Sequence, residues 1–366
     1  MLKELSNPMV GDYMSLYGYV ADKLFYALLD KLEEEGGARI SKGIDRRPLM
    51  GKGWLPPVGF VRLSWQAEPI WADIQMAIIS HAAGLISEFD AELPSGNQPL
   101  MLGGRALPPC RYRIKASPDS VIVRSKESGD FVFRRTDHGH YLMSSGDMVE
   151  LLGSYALVHS QGEWLKYKEP LETMWPLTED RAGSIEAVDG VLTTLRDSVP
   201  EYLLWVLLPI KEITLLHPTD PRKTQSRSSS IFPGNIQITA PSTLPRLLAQ
   251  LVHECSHQYF HLGQWVGPVT VANAPTAYSI LKNTHRPLDR VLLGYHAFAN
   301  IYAALMLLRT RTGDMHGSVL DQEIEHAKTS AHQLGSELDS RLEYLTEIGQ
   351  DLYLPLRTTV FELESA

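Results

Sequence analysis

The pattern of apolar and polar positions predicts a helical first segment of the chain and a β-rich stretch after it. Apolar residues at helical spacing predict one helix over residues 14–34, with a stop at Gly36-Gly37. A second helix is expected over 70–89, with Pro69 near its first turn. From 111 to 143 the apolar residues alternate and turn sequences separate the runs, which predicts short antiparallel strands.

The second half of the chain contains short apolar runs followed by longer helical patterns. The runs 203–208 and 213–216 are bounded by prolines and are expected to supply buried strands, and 236–239 is a further strand. A helix start follows at Pro241-Ser242-Thr243, with Pro245 just inside the helix. After a loop over 263–276, the pattern predicts an apolar helix around 291–309 and one polar amphipathic helix over about 319–353.

These elements predict an α+β fold that is largely helical, with a small antiparallel sheet and a buried helix that starts after Thr243. We divide the chain into an N-terminal helical and β-strand region, 1–175, and a C-terminal region, 176–366, although both can belong to one domain.

Composition narrows the class of protein. The 366 residues are 44% hydrophobic, and the net charge of -9 argues against an extended nucleic-acid interface. Two cysteines exclude a disulfide framework and a four-thiolate zinc site. The first 13 residues lack the features of a secretory signal, so we expect a cytoplasmic protein. Residues 291–308 approach the length of a membrane span but include His296 and Asn300, so we expect a buried core helix and no membrane association.

The segment His253-Glu254-Cys255-Ser256-His257 carries the candidate chemistry. On a helix, two histidines four residues apart lie on one face, and their imidazoles can bind one divalent ion from adjacent turns. The apolar stripe of the same helix includes Cys255, which we interpret as a buried core residue. The alternative is a helix with partly exposed histidines and no metal.

A third ligand is needed, and several residues qualify. His261 continues the spacing but lies about 12 Å along the helix from His253, so it is expected beside the site or at the surface. His296 is the stronger candidate because its helix is apolar on every face, and a buried imidazole needs a partner. A core histidine bonded to a carbonyl is the alternative, Asp289 is a reserve ligand, and Asn300 is expected to orient a ligand or water.

Two classes of HExxH peptidase do not fit the downstream sequence. No glutamate occurs between Glu254 and Glu323, although a thermolysin-like zinc enzyme would normally offer one there. The metzincin extension is also absent, because the chain continues Gln258-Tyr-Phe-His-Leu-Gly.

The motif, with His285-Arg286-Pro287-Leu288 and Leu293-Gly-Tyr-His-Ala-Phe298, resembles a bacterial peptide-modification family. This is the HExxH-motif family of iron- and 2-oxoglutarate-dependent peptide β-hydroxylases, which act on ribosomally made peptides. The likeness covers residues 226–310 and includes the Ser-rich segment before the 236–239 strand.

The resemblance implies Fe(II) held by His253, His257 and His296, with 2-oxoglutarate as cosubstrate. A dicarboxylate needs a cation, and Arg286 or Arg290 is expected to bind it, unless both are surface charges. The implied activity is β-hydroxylation of a peptide residue by a dioxygenase whose metal-binding catalytic region is 176–366. The N-terminal region, 1–175, is expected to recognise the peptide, including any leader segment, by its helices or by adding the peptide to a strand edge.

The expected role of Glu254 differs between this activity and its alternatives. In a hydroxylase it would position water, substrate or a ligand, whereas in a zinc metallopeptidase it would be the general base. A non-catalytic peptide-binding protein with an incidental motif is the third interpretation.

Overall fold

The computed structural model describes residues 2–35, 39–40, 42–137, 139–143, 148–151, 154–159, 178–217 and 225–365, so the expected boundary at 175 and 176 lies outside the described residues. The helices are α1 (Tyr13–Glu34), α2 (Pro57–Ser64), α3 (Pro69–Ala82), α4 (Arg181–Ser198), α5 (Pro200–Leu207), α6 (Leu244–Val266), α7 (Leu288–Thr312), α8 (Gly317–Asp339) and α9 (Glu347–Ser365). The strands are β1 (Phe89–Leu93), β2 (Leu100–Leu102), β3 (Arg105–Leu107), β4 (Tyr112–Ser117), β5 (Ser120–Ser125), β6 (Gly129–Arg135), β7 (Tyr141–Leu142), β8 (Met148–Leu151), β9 (Ser154–His159), β10 (Glu212–Leu216), β11 (Ser226–Ser228), β12 (Asn235–Thr239), β13 (Ala277–Ser279) and β14 (Thr284–Arg286). The fold is α+β, as predicted.

Two sheets make up most of the β structure. The first is antiparallel, in the order β1-β4-β5-β6-β7, and it contains the strands predicted over 111–143. The second has the order β11-β12-β10-β9-β8 and is mixed, because β10 is parallel to both β12 and β9. The sequence patterns did not reveal these parallel pairs, since they depend on which distant segments meet. The second sheet places β11 at one edge.

The structure corrects two predictions of secondary structure near the sheets. The run 203–208, expected as a strand, belongs to helix α5, which begins at Pro200 and buries Tyr202 and Trp205 completely. A short apolar run fits a buried helix as well as a buried strand, so the pattern could not distinguish them. Helix α3 ends at Ala82 and not at Phe89, because Gly84 turns the backbone at a φ of 79° and β1 follows.

The predicted single helix over 319–353 is also wrong. Helix α8 ends at Asp339 and α9 begins at Glu347. The intervening chain pairs with the loop after α6: the N–H of Val271 donates to Tyr344 O at 3.0 Å, and the N–H of Thr346 donates to Val269 O at 3.1 Å. This tertiary pairing interrupts the helical pattern.

Helices α6 and α7 form the centre of the core. In α7 the most apolar 18-residue window is long enough to cross a membrane but is 72% buried within the protein, which confirms the expected core helix. Helix α1 packs on α6 through Tyr17 and Tyr259, whose ring centroids are 5.5 Å apart in an edge-on arrangement. Residues from the start of the chain therefore support the helix that carries the motif.

Candidate metal centre

The motif lies in the middle of α6, where the sequence predicts it. Thr243 precedes the first turn and Pro245 lies inside it, which suits a helix start because the first N–H groups have no intrahelical partner. The apolar stripe is buried, and Cys255 is fully buried with its thiol donating to the Val206 carbonyl, Sγ to O 3.3 Å. These contacts fix the rotation of α6 and thereby the direction of its histidine face.

His253 and His257 are neighbours on adjacent turns, as their spacing predicts. Their ring centroids are 4.5 Å apart and their planes meet at 77°. Burial lowers the pKa of His253 to about 4, with the nearby His326 adding to the effect. Burial also holds the pKa of His257 well below its usual value. Both imidazoles are therefore neutral at pH 7, the form that binds metals.

A cleft of about 620 Å³ opens beside this pair. Its wall combines the two histidines with residues of α7, α8 and the β13–β14 hairpin: His253, His257, Ile280, Leu281, Lys282, Arg286, Arg290, Leu293, Gly294, Phe298, His326, Thr329, Ser330 and Gln333. The charged residues of this wall are cations, and no aspartate or glutamate occurs among its described residues. Such a cavity is complementary to a small anion.

Arg286 and Arg290 both face this cleft, which is the placement expected of cosubstrate-binding residues. Arg290 is half exposed, and its Nε lies 3.7 Å from Asp289 Oδ2, a weak ion pair at the cleft mouth. Lys282 joins the two arginines on the wall. Asp289 is thus a partner of Arg290 and is not one of the cleft-lining residues that could act as the reserve ligand.

Glu254 points to a different surface from the histidines. It is 1% exposed, and its Oε1 lies 3.9 Å from His253 Nε2, but it is not part of the cleft wall. Burial raises the pKa of Glu254 to about 7, against the opposing effects of the Ser226 and Ser228 hydroxyls. The carboxyl group is therefore balanced between its two protonation states near neutral pH.

His296 lies behind the motif helix and does not line the cleft. It is fully buried, its ring centroid is 5.9 Å from that of Phe260, and burial lowers its pKa to about 4. Among the described residues, neither ring nitrogen makes a hydrogen bond of normal geometry, and His257 Nδ1 is also buried without one. The backbone carbonyls of Leu5, Ser6 and Ser256 nevertheless act on the His296 ring and oppose the effect of burial on its pKa, which agrees with the alternative of a core histidine beside carbonyls. His257 Nδ1 retains capacity to bind a metal, because buried polar atoms normally have a partner.

The neutral imidazoles of His253 and His257 can supply two ligands to one metal ion. His296 as the third ligand stays a prediction. Among the described residues, no three His, Cys, Asp or Glu side chains are grouped closely enough to hold one ion.

Two other sequence expectations are corrected. His261 is buried, so the surface alternative is wrong; its Nδ1 is 3.0 Å from Gln264 Oε1. Asn300 is not free to orient a ligand: its Oδ1 accepts from the Tyr202 hydroxyl at 2.9 Å, and its Nδ2 donates to the carbonyls of Ser6 and His296, both at 2.9 Å. Asn300 instead joins α5, α7 and the start of the chain.

Sequence patterns did not reveal His326 as a site residue, nor the second cavity that it borders. The second cavity has a volume of about 180 Å³ and is lined by Ser226, Arg246, Ala249, Gln250, His253, Phe298, Ile301, Glu323, His326 and Ala327. His253, Phe298 and His326 border both cavities, and the Phe298 ring centroid lies 5.5 Å from His253 and 5.3 Å from His326. His326 is far away in sequence, so its position depends on how α8 packs against α7.

Comparison with known proteins does not assign the chain to a family. No protein-family model and no curated protein sequence matches it.

Proposed function

We propose that this chain is a cytoplasmic non-haem Fe(II)- and 2-oxoglutarate-dependent oxygenase that hydroxylates the β-carbon of a residue in a ribosomally made peptide. The observation that carries the proposal is the cleft whose wall, as far as the structure describes it, combines His253 and His257 with cations and contains no carboxylate. A dicarboxylate cosubstrate needs a cation close to the metal position, and a guanidinium binds a carboxylate through two hydrogen bonds.

In this proposal His253 and His257 hold the iron, with His296 as third ligand. The bound iron would supply the redox chemistry, and the overall reaction converts peptide, O₂ and 2-oxoglutarate to hydroxylated peptide, succinate and CO₂. Arg286 is our first choice for the distal carboxylate of 2-oxoglutarate, and Arg290 the second. Leu293 and Phe298 contribute apolar surface that excludes water from the reacting end of the cleft.

Glu254 has a supporting role in this scheme. Its carboxyl lies beside His253 but faces β11, so it is suited to positioning His253 or a bound main-chain amide. The N-terminal region is proposed to recognise the substrate peptide, including any leader segment.

A zinc metallopeptidase is the second candidate, and one observation favours it. A buried Glu254 with a pKa near 7, adjacent to a histidine pair, has the properties of a general base. Against this assignment, Glu254 is not among the residues that line the 620 Å³ cleft, and none of the described lining residues offers a carboxylate as a third zinc ligand. A non-catalytic peptide-binding protein is the third candidate.

The deciding experiment is anaerobic reconstitution with Fe(II), followed by addition of O₂, 2-oxoglutarate and the peptides encoded beside the gene. We expect succinate in equal amount to a product heavier by one oxygen. Cleaved peptide in the presence of zinc, with no dependence on 2-oxoglutarate, would establish the peptidase instead. No stoichiometric metal and no product would favour the binding protein.

A set of matched arginine variants tests the cosubstrate site. Arg286→Gln and Arg290→Gln each remove a charge from the cleft, whereas Arg113→Gln removes one from the first sheet, where Arg113 pairs with Asp90 at 3.2 Å. We expect the KM for 2-oxoglutarate to rise in a cleft variant and to stay unchanged in the control. Equal effects of all three variants would contradict the proposed cosubstrate site.

A further inference from the structure

The edge strand β11 presents an unpaired side next to the motif helix. Arg227 lies opposite Gln237 of β12, and the N–H of Thr239 donates to Gln225 O at 3.0 Å. Hydrogen-bonded residues alternate along an antiparallel strand, so the backbone groups of Ser226 and Ser228 point away from β12. Because β11 ends the sheet, these outward groups have no strand partner within the described part of the chain.

This edge is next to the proposed metal position. Ser226 and His253 line the same 180 Å³ cavity, which Phe298 and His326 separate from the larger cationic cleft. The site therefore has two compartments that meet at His253. The 620 Å³ cationic cleft suits an anionic cosubstrate. The 180 Å³ cavity lies on the side of β11 and has room for a single side chain.

We propose that the substrate peptide binds in extended conformation as an additional strand on the outer edge of β11, with one side chain in the 180 Å³ cavity against His253. That the bound chain is the substrate peptide rests on the proposed function. An extended main chain is the partner whose donors and acceptors match alternate residues of a strand, about 7 Å apart. Main-chain pairing then provides affinity, and the small cavity selects the residue presented to the metal.

The binding test uses the full chain without metal or 2-oxoglutarate. An mRNA-displayed library of random decapeptides is selected on the immobilised protein, and the most enriched peptide is resynthesised with single N-methyl groups along its length. We expect N-methylation at every second residue to weaken binding about tenfold, the effect of losing one main-chain hydrogen bond of about 1.4 kcal/mol. An enriched peptide whose sensitive positions recur every three or four residues, or no enriched peptide at all, would overturn the proposal.

A protein variant tests the same edge from the other side. Ser228→Pro removes the outward N–H, whereas Ser228→Ala keeps it and serves as the matched control. We expect about tenfold weaker binding for the proline variant and less than about threefold for the alanine variant. A folded proline variant that binds like the unaltered protein contradicts the proposal, and if that variant does not fold, the N-methyl scan decides alone.

The two proposals fail in different ways. Periodic N-methyl sensitivity without succinate formation would keep the strand-edge site and reject the oxygenase. Peptide hydroxylation without that periodicity would keep the oxygenase and reject the strand-edge site.

Discussion

The hydrogen bonds of Asn300 give the most direct test of how the core holds α7 in place. Asn300 is fully buried and joins the Tyr202 hydroxyl on α5 to the Ser6 carbonyl near the start of the chain. Asn300→Ala removes the side-chain amide that bonds to both groups. The Tyr202 hydroxyl and the Ser6 carbonyl are then buried without a hydrogen-bond partner. Each unsatisfied group costs about 1–3 kcal/mol, so we expect the free energy of unfolding to fall by about 4 kcal/mol.

A double-mutant cycle isolates the tyrosine contact. Tyr202→Phe removes the hydroxyl and leaves Asn300 Oδ1 without its donor, at a cost of about 1–3 kcal/mol. When both changes are combined, neither group of this pair remains unsatisfied. The double variant should therefore be more stable than the sum of the single effects predicts, by about 1–2 kcal/mol.

Urea denaturation followed by tryptophan fluorescence measures these free energies, because Trp205 packs edge-on against Tyr202 with centroids 5.6 Å apart. Additive single effects, within about 0.5 kcal/mol, would refute the bond between Tyr202 and Asn300. A cost below about 1 kcal/mol for Asn300→Ala would refute its role as a buried link and would reopen a role at the metal.

Four further outcomes are expected. His296→Ala should lose bound Fe(II) while His261→Ala retains it, measured by metal analysis after reconstitution; equal metal content would reject His296 as the third ligand. Arg286→Gln should raise the KM for 2-oxoglutarate about tenfold or more, because a charge-assisted hydrogen bond contributes about 1.5–3 kcal/mol, with the KM for peptide unchanged in steady-state kinetics. Burial lowers the pKa of His81 below its usual 6.5, so the native state binds fewer protons than the unfolded state. The His81 contribution to stability is therefore complete above pH 6.5 and declines as the pH falls below it, and His81→Gln should flatten the acid side of a pH series of urea midpoints; an unchanged slope would contradict this. Gly59→Ala should destabilise the protein strongly, since an added Cβ would lie 1.9 Å from a backbone oxygen, and a melting temperature equal to that of the unaltered protein would show that this close approach is wrong.

Elements with strong local signals are predicted correctly from the sequence. Helix α1 starts at Tyr13 after Asp12, whose carboxylate accepts from the N–H of Ser15, and α6 starts beside Pro245. Capping groups and proline act within one turn of the chain, so the sequence contains the whole interaction. Two of the failures, α5 and the break between α8 and α9, lie where burial or pairing with a distant loop decides the structure. The third, the early end of α3, is a local turn at Gly84 that the apolar pattern did not reveal.

The same distinction between local sequence and tertiary structure applies to the candidate site. The spacing of His253 and His257 places both on one face of a helix, and Arg286 and Arg290 reach the same cleft from a short stretch of sequence. The sequence did not reveal that Glu254 faces β11, that His296 is separated from the cleft, or that His326 borders it.

The sequence by itself determined the motif helix, the neighbouring core helix α7 and the pairing of the two imidazoles, because helical periodicity fixes the relative directions of residues a few positions apart. Tertiary structure alone decided which face of α6 opens to solvent, which cations surround the histidines and where the edge of β11 lies. Those features depend on the packing of segments separated by tens to hundreds of residues, and no local pattern encodes the distances between them.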